Sequence, residues 1–253
     1  MAICIKCEDV SFSYEGHTVV SGIDFKLEQG DYLCIVGENG TGKSTLIKGI
    51  LKLKQPCNGI IERMDGLDNS SIGYMPQQNT IQRSFPASVL EVVLSGRLGS
   101  KRLISFYNQH DRAVAHEVME KLDLWGMAKS SFGELSGGQQ QRVLLARALA
   151  ASSDRLKLLI LDEPMSALDP HIKQETYEFI RNLNVQGLTI IMVTHDVNTA
   201  VTYANKMLLL SARQEFFGTS HEFQHTELGR ELMRDSCGGH CAVCGLAMHE
   251  GGD

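Results

Sequence analysis

The stretch that decides the fold reads Gly37-Glu38-Asn39-Gly40-Thr41-Gly42-Lys43-Ser44-Thr45, and it directly follows the apolar segment 32–36. Its spacing, G-x-x-x-x-G-K-S, is that of a loop that wraps nucleotide phosphates. Glycines let backbone N–H groups converge on the α- and β-phosphates, Lys43 can reach the β and γ oxygens, and the Ser44 hydroxyl can ligate Mg²⁺. A helix is expected from about residue 43 to 51, and its positive N-terminal end adds to the same anion-binding site.

Composition narrows the class of protein. The chain has 253 residues and a net charge of −6, which suits one large domain or one domain with an inserted subdomain. The lack of a surplus of Lys and Arg argues against nucleic acid as a partner. No signal peptide opens the chain, and its longest apolar runs are far below the ~18 residues of a membrane span. We therefore expect a soluble protein whose seven cysteines are free thiols or metal ligands.

The pattern along the chain indicates an α/β fold. Residues 4–33 predict short antiparallel strands with a turn at residues 15–17, and the period becomes helical from 88 to about 151. The short apolar runs 158–161 and 188–193 are typical of strands buried on both faces of a parallel sheet. The prediction is a phosphate-loop NTPase core, a mostly parallel sheet with flanking helices, with an N-terminal antiparallel β subdomain and a helical insertion subdomain. We expect one domain over residues 1–235 and a separate tail over 236–253.

Two further segments contain residues suited to catalysis or to binding an anion. The apolar run 158–161 ends in Asp162 and Glu163, whose side chains point in opposite directions at a strand end. Asp162 suits a place near Mg²⁺, and Glu163 suits the polarisation of an attacking water. Ser136 can cap a helix that starts with two glycines, which makes a second anion-binding helix end.

Taken in order, the phosphate loop, Leu135-Ser136-Gly137-Gly138-Gln139, Asp162-Glu163 and His195 resemble the nucleotide-binding subunit of an ATP-binding-cassette transporter over about residues 2 to 220. The resemblance implies ATP and Mg as cofactors and a head-to-tail homodimer. Each ATP would lie between the phosphate loop of one copy and residues 136–139 of the other. Closure on ATP and opening after hydrolysis would drive an integral-membrane permease.

The resemblance also assigns roles to single residues. Tyr14 corresponds to the aromatic residue that stacks on adenine, with Phe12 as the neighbouring alternative. Gln77, beside Gln78, corresponds to the glutamine that senses Mg²⁺ and the γ-phosphate. Asp169 closes the loop that crosses to the other subunit and can also cap a helix. The implied catalytic residues are Glu163 as the base, His195 and Gln77, and the Mg ligands are Ser44, Asp162 and Gln77.

The tail holds Cys237, His240, Cys241, Cys244 and His249. Three cysteines and two histidines this close together can supply soft ligands for tetrahedral zinc. The glycines between them let the chain fold tightly around an ion. The alternative is a solvated tail that binds nothing.

The family resemblance extends to the kind of transporter. Residues 84–93 resemble a segment of zinc, manganese and iron-chelate importers, and the tail also favours a metal as cargo. We therefore expect the ATPase of a zinc or manganese importer at the cytoplasmic face of the inner membrane. Its partners would be separate permease subunits and an extracytoplasmic metal-binding protein. The alternatives are an importer of an iron chelate or cobalamin, a soluble cassette ATPase, and a metal-storage module without catalysis.

Overall fold

A computed structural model describes residues 2–64, 66–77, 86–100, 107–151, 156–165 and 168–235, without the side chains of residues 99 and 100. The strands are β1 (Ile3–Tyr14), β2 (His17–Glu28), β3 (Tyr32–Val36), β4 (Asn58–Arg63), β5 (Ile72–Met75), β6 (Leu158–Asp162), β7 (Thr189–Val193), β8 (Lys206–Leu210) and β9 (Gln214–Thr219). The helices are α1 (Lys43–Ile50), α2 (Val89–Ser95), α3 (Gln109–Lys121), α4 (Gly137–Ala150), α5 (Pro170–Val185), α6 (Val197–Tyr203), α7 (Ser220–His225) and α8 (Glu227–Asp235).

Two sheets organise these elements. The larger has the order β5-β6-β7-β3-β8-β9; its neighbours pair in parallel except β8 and β9, which are antiparallel. The smaller has the order β2-β1-β4 and is antiparallel throughout. The predicted fold class is confirmed. The sequence patterns missed β4, β5, β8 and β9, and the expectation of short N-terminal strands was wrong, because β1 and β2 each have 12 residues.

The larger sheet separates two apolar cores. Cys34 of β3 faces the core that contains the helices α2 to α4, and its neighbours Leu33 and Ile35 face the core that contains α1 and the smaller sheet. Side chains alternate between the faces of a strand, so a strand covered on both sides is apolar at every position. This accounts for the unbroken apolar runs of β3, β6 and β7, in which every residue is buried.

Arg97, two residues after the end of α2, forms a buried ion pair with α3 and a hydrogen bond to α4. The Nε atom of Arg97 lies 3.1 Å from Oδ1 of Asp111, at the start of α3. The same guanidinium donates a hydrogen bond of 3.1 Å to the carbonyl oxygen of Ala150, at the end of α4. A buried charge needs such partners, so this contact fixes α4 relative to α3.

Across the described residues, no helix combines the length and the apolar character of a membrane span.

Candidate nucleotide site

Three adjacent strands bring the predicted site residues to one edge of the larger sheet. β6, β7 and β3 are neighbours and run in parallel, so their carboxyl ends lie together. Two backbone hydrogen bonds extend the pairing past the strands, from Glu163 N to Val193 O at 3.0 Å and from Thr194 N to Ile35 O at 3.1 Å. The phosphate loop, the two carboxylates and His195 therefore follow strands that end side by side.

A cavity of about 320 Å³ opens at this edge. It is lined by Val19, Asn39, Gly40, Gly42, Lys43, Ser44, Thr45, Gln77, Asp162 and Glu163. All of these except Val19 were predicted from the sequence. Val19 lies on β2 and packs against the phosphate loop at Gly42; no chemical feature of a valine could have marked it in advance.

The lysine of the phosphate loop, Lys43, is buried against the backbone of that loop. Lys43 is 6% exposed, and its Nζ donates to the carbonyl oxygens of Gly37 at 2.7 Å and Glu38 at 2.6 Å. Burial lowers the pKa of Lys43, and the nearby carboxylates of Glu163, Asp162 and Glu38 oppose that shift by favouring the charged form. A buried ammonium that donates to two loop carbonyls suits a phosphate oxygen as a further partner.

Ser44, Asp162 and Gln77 are three of the polar residues that line the cavity. Asp162 is buried, and burial raises the pKa of its carboxyl, while a hydrogen bond with the Ser44 side chain and the charge of Lys43 act against that rise. Hydroxyl, carboxylate and amide oxygens are hard ligands of the kind that Mg²⁺ prefers. These three residues therefore fit a magnesium ion.

Glu163, which lines the cavity, contacts His195, which does not. Nδ1 of His195 lies 3.4 Å from Oε2 of Glu163, whose side chain is 11% exposed while that of His195 is 67% exposed. Glu163 has a φ of +51°, a left-handed conformation that turns the chain just after β6. His195 also lines a second cavity of about 550 Å³, together with Gly37, Glu38 and Thr41.

Residues 136–139 lie elsewhere. None of them lines either of these cavities among the described residues. They start α4 with a capping box, in which Ser136 Oγ accepts from Gln139 N at 3.3 Å and Ser136 N donates to Gln139 Oε1 at 2.9 Å. The predicted helix cap is confirmed. Gly137 and Gly138 are the first two residues of α4. Because glycine has no side chain, their backbone amides are not covered by side chains of their own.

Two other predicted residues also lie outside the cavities. Asp169 caps α5 by accepting from Ile172 N at 3.1 Å, as expected for an Asp before Pro170. Tyr14 is the last residue of β1 and is 43% exposed, whereas Phe12 is fully buried. Of the two aromatic residues, only Tyr14 offers a ring surface to a base.

The five tail residues Cys237, His240, Cys241, Cys244 and His249 lie outside the described residues, as does Gln78. Within the described part of the chain, no group of three or more His, Cys, Asp or Glu side chains is arranged to hold a metal ion. The described cysteines, Cys4, Cys7, Cys34 and Cys57, are free thiols. Burial raises the pKa of Cys7 to about 12, which favours the protonated thiol.

The fold and the cavity define the class of protein: a phosphate-loop nucleotide-binding domain with a helical insertion between β5 and β6. Comparison with known proteins makes this specific. The family model described as ABC transporter matches residues 20–166. The zinc uptake system ATP-binding protein ZurA of Listeria innocua is 36% identical over 235 residues, which are 90% of each chain. The manganese transport system ATP-binding protein MntB of Bacillus subtilis is 36% identical over 85% of this chain and 86% of its own length.

A solved structure agrees with these relatives. A chain from an inward-facing ABC transporter superimposes with a TM-score of 0.80 at 34% identity, over 93% of this chain and 90% of that one. This chain belongs to the ABC transporter family, as its ATP-binding cassette.

The first glycine of the phosphate loop gives a test of the site's construction. Gly37 has a φ of +148°, and a Cβ added there would fall on the carbonyl oxygen of Leu210. We expect Gly37→Ala to lower the free energy of unfolding by about 3 kcal/mol or more, since strain and overpacking add. Gly40→Ala is the matched control, because it has a φ of +86° but open space around it, and it should cost only ~1–2 kcal/mol. Equal losses in urea unfolding would contradict the close contact.

Proposed function

We propose that this chain is the ATP-hydrolysing subunit of an importer that takes up a divalent metal ion, with zinc or manganese as the cargo. The observation that carries the ATPase is the convergence of Lys43, Asp162, Glu163 and His195 at neighbouring strand ends. The metal as cargo is supported by the relatives, since proteins of zinc and manganese uptake match over most of this chain.

ATP would be held mainly by the phosphate loop. The backbone amides and side chains of residues 37–45 would contact the phosphates, with Lys43 neutralising charge on the β and γ oxygens. Mg²⁺, when bound by Ser44, Asp162 and Gln77, supplies positive charge that offsets the negative charge of the phosphates. Tyr14 would stack on the adenine, a contact of ~1–3 kcal/mol on the scale of other aromatic–base pairs.

Hydrolysis would follow from the placement of Glu163. Its carboxylate accepts a proton from a water whose oxygen attacks the γ-phosphorus, and the bond from that phosphorus to the oxygen of ADP breaks. His195, 3.4 Å from the same carboxylate, orients Glu163 and can donate to the γ-phosphate. Because the His195 side chain is largely exposed, it is open to contact from the transferred group or a second subunit.

A second copy of this chain would complete the site. Residues 136–139 line neither cavity of their own subunit, yet they present a helix N-terminus, which favours an anion. In a head-to-tail homodimer this end would meet the phosphates bound by the other copy, near the segment that leads to Asp169. The separation of the two halves within one subunit supports this arrangement.

The helical insertion offers a place for the permease. A cavity of about 630 Å³ lies among the described elements between β5 and β6, and it is lined by Pro86, Ala87, Glu91, Val92, Ser95, Tyr107, Phe132, Leu144 and Arg147. A lining that is mostly apolar and includes the charged residues Glu91 and Arg147 suits an amphipathic helix of a partner. We place the permease here, which puts the subunit at the cytoplasmic face of the inner membrane, and an extracytoplasmic metal-binding protein would deliver the ion.

The base assignment is tested by Glu163→Gln. We expect ATP affinity to be unchanged and the rate of ATP hydrolysis to fall by ~10²–10⁴, because the amide cannot accept the proton. The measurements are ATP binding by calorimetry and phosphate release. Glu175→Gln is the matched control, since Glu175 also lies 3.5 Å from a histidine, His171, but on the surface of α5; it should hydrolyse ATP normally. Normal turnover in Glu163→Gln would rule out this base.

The tail is proposed to bind zinc through Cys237, His240, Cys241, Cys244 and His249 and to slow ATP hydrolysis when cytoplasmic metal is plentiful. Removing residues 237–253, or changing its three cysteines to serine, should abolish zinc binding and any effect of added zinc on the hydrolysis rate. Cys57→Ser removes an exposed thiol outside the tail and should change neither. A response to zinc that survives the deletion would contradict the proposal.

The cargo is tested by uptake in a deletion strain of the source organism. Uptake of radioactive zinc or manganese should fall to background and return with the wild-type chain but not with Lys43→Ala, because that variant lacks the phosphate contact. Uptake of an iron chelate serves as the internal comparison. Loss of iron-chelate uptake alone would overturn the assignment of cargo while leaving the ATPase intact.

A further inference from the structure

We infer that Lys54 is a positioning residue for the nucleotide base, whose ammonium holds the ring of Tyr14 in place for stacking. Its Nζ lies 3.5 Å from the centroid of the Tyr14 ring. The inference rests on the proposed ATP site, in which Tyr14 stacks on the adenine. Lys54 belongs to no motif that the sequence analysis identified, so this role adds a residue to the proposed ATP site.

The backbone of Lys54 is fixed by the end of α1. Leu53 N donates to Lys48 O at 2.8 Å, and Lys54 N donates to the same oxygen at 3.3 Å. Lys52 has a φ of +58°, the left-handed conformation that commonly ends a helix and turns the chain back on itself. The segment after α1 is therefore tied to the helix, and Lys54 occupies a defined position rather than a free loop.

The same helix begins at the phosphate loop. α1 starts at Lys43, which lines the proposed phosphate site, and it packs on β1 where Gly49 meets the ring of Phe12. Tyr14 lies two residues beyond Phe12 on that strand. One helix thus carries a phosphate-binding residue at its start and fixes the aromatic ring near its end, which relates the base subsite to the phosphate subsite.

The chemistry of the contact suits a fixed platform. A cation over the face of an aromatic ring is attracted by the negative charge on that face. Lys54 lies over one face of the ring, and Tyr14 as a residue is still 43% exposed, so surface remains accessible to a base. An ordered ring loses less freedom on stacking, and the base is bound more tightly as a result.

The test compares Lys54→Met with Lys54→Arg in the full chain. Lys54→Met should weaken ATP binding by about two- to fivefold, the range of an exposed cation–π contact, and should leave inorganic triphosphate binding unchanged. Lys54→Arg should retain the wild-type affinity, because it keeps a cation over the ring. Lys26→Met, which removes the charge of an exposed lysine on β2, should change neither affinity.

The variant Tyr14→Ala separates a failure of the Lys54 role from a failure of the base site. If Tyr14→Ala weakens ATP binding, the base site stands, and Lys54→Met should then have no further effect in the Tyr14→Ala background. Unchanged or tighter ATP binding in Lys54→Met, or an equal loss of ATP and triphosphate binding, overturns the role of Lys54 alone. If Tyr14→Ala itself leaves ATP affinity unchanged, the stacking role proposed for Tyr14 fails instead.

Discussion

The parallel pairing of β6, β7 and β3 is the constraint on which the site depends. Parallel strands end at the same edge of a sheet, so the chain must place whatever follows these strands together. Hydrogen bonds from Glu163 to Val193 and from Thr194 to Ile35 continue the ladder past the strand ends. Backbone pairing alone is therefore enough to bring together segments that are more than 100 residues apart in the chain.

Burial at that edge sets the electrostatics. Lys43 and Asp162 are both removed from water, and burial acts against the charged form of each, lowering the pKa of the lysine and raising that of the carboxyl. Each is nevertheless favoured by the charge of the other. In the proposed complex a phosphate oxygen would be a further partner for Lys43, and Mg²⁺ would be a further partner for Asp162.

The two parts of the proposed site are held by different structural elements. The loop and carboxylates belong to the sheet and are held by its ladder, whereas residues 136–139 lie at the start of α4, which Arg97 ties to α3 through its contacts with Asp111 and Ala150. Because the halves are separate within one subunit, assembly and catalysis are coupled in the proposed dimer. The cavity of the helical insertion lies among the same helices, so a permease bound there can act on α4.

The sequence by itself determined the α/β core, the phosphate loop, the helix caps at Ser136 and Asp169 and the membership of a family, because local spacing and strand periodicity carry that information. It did not locate β4, β5, β8 or β9. β4 and β9 contain no buried residue, so they lack the fully apolar run that marks β3, β6 and β7. Only the tertiary structure placed Val19 in the cavity, buried Phe12 while exposing Tyr14, and brought Lys54 over that ring. These depend on how the N-terminal hairpin packs along α1, a contact between segments that no local pattern encodes.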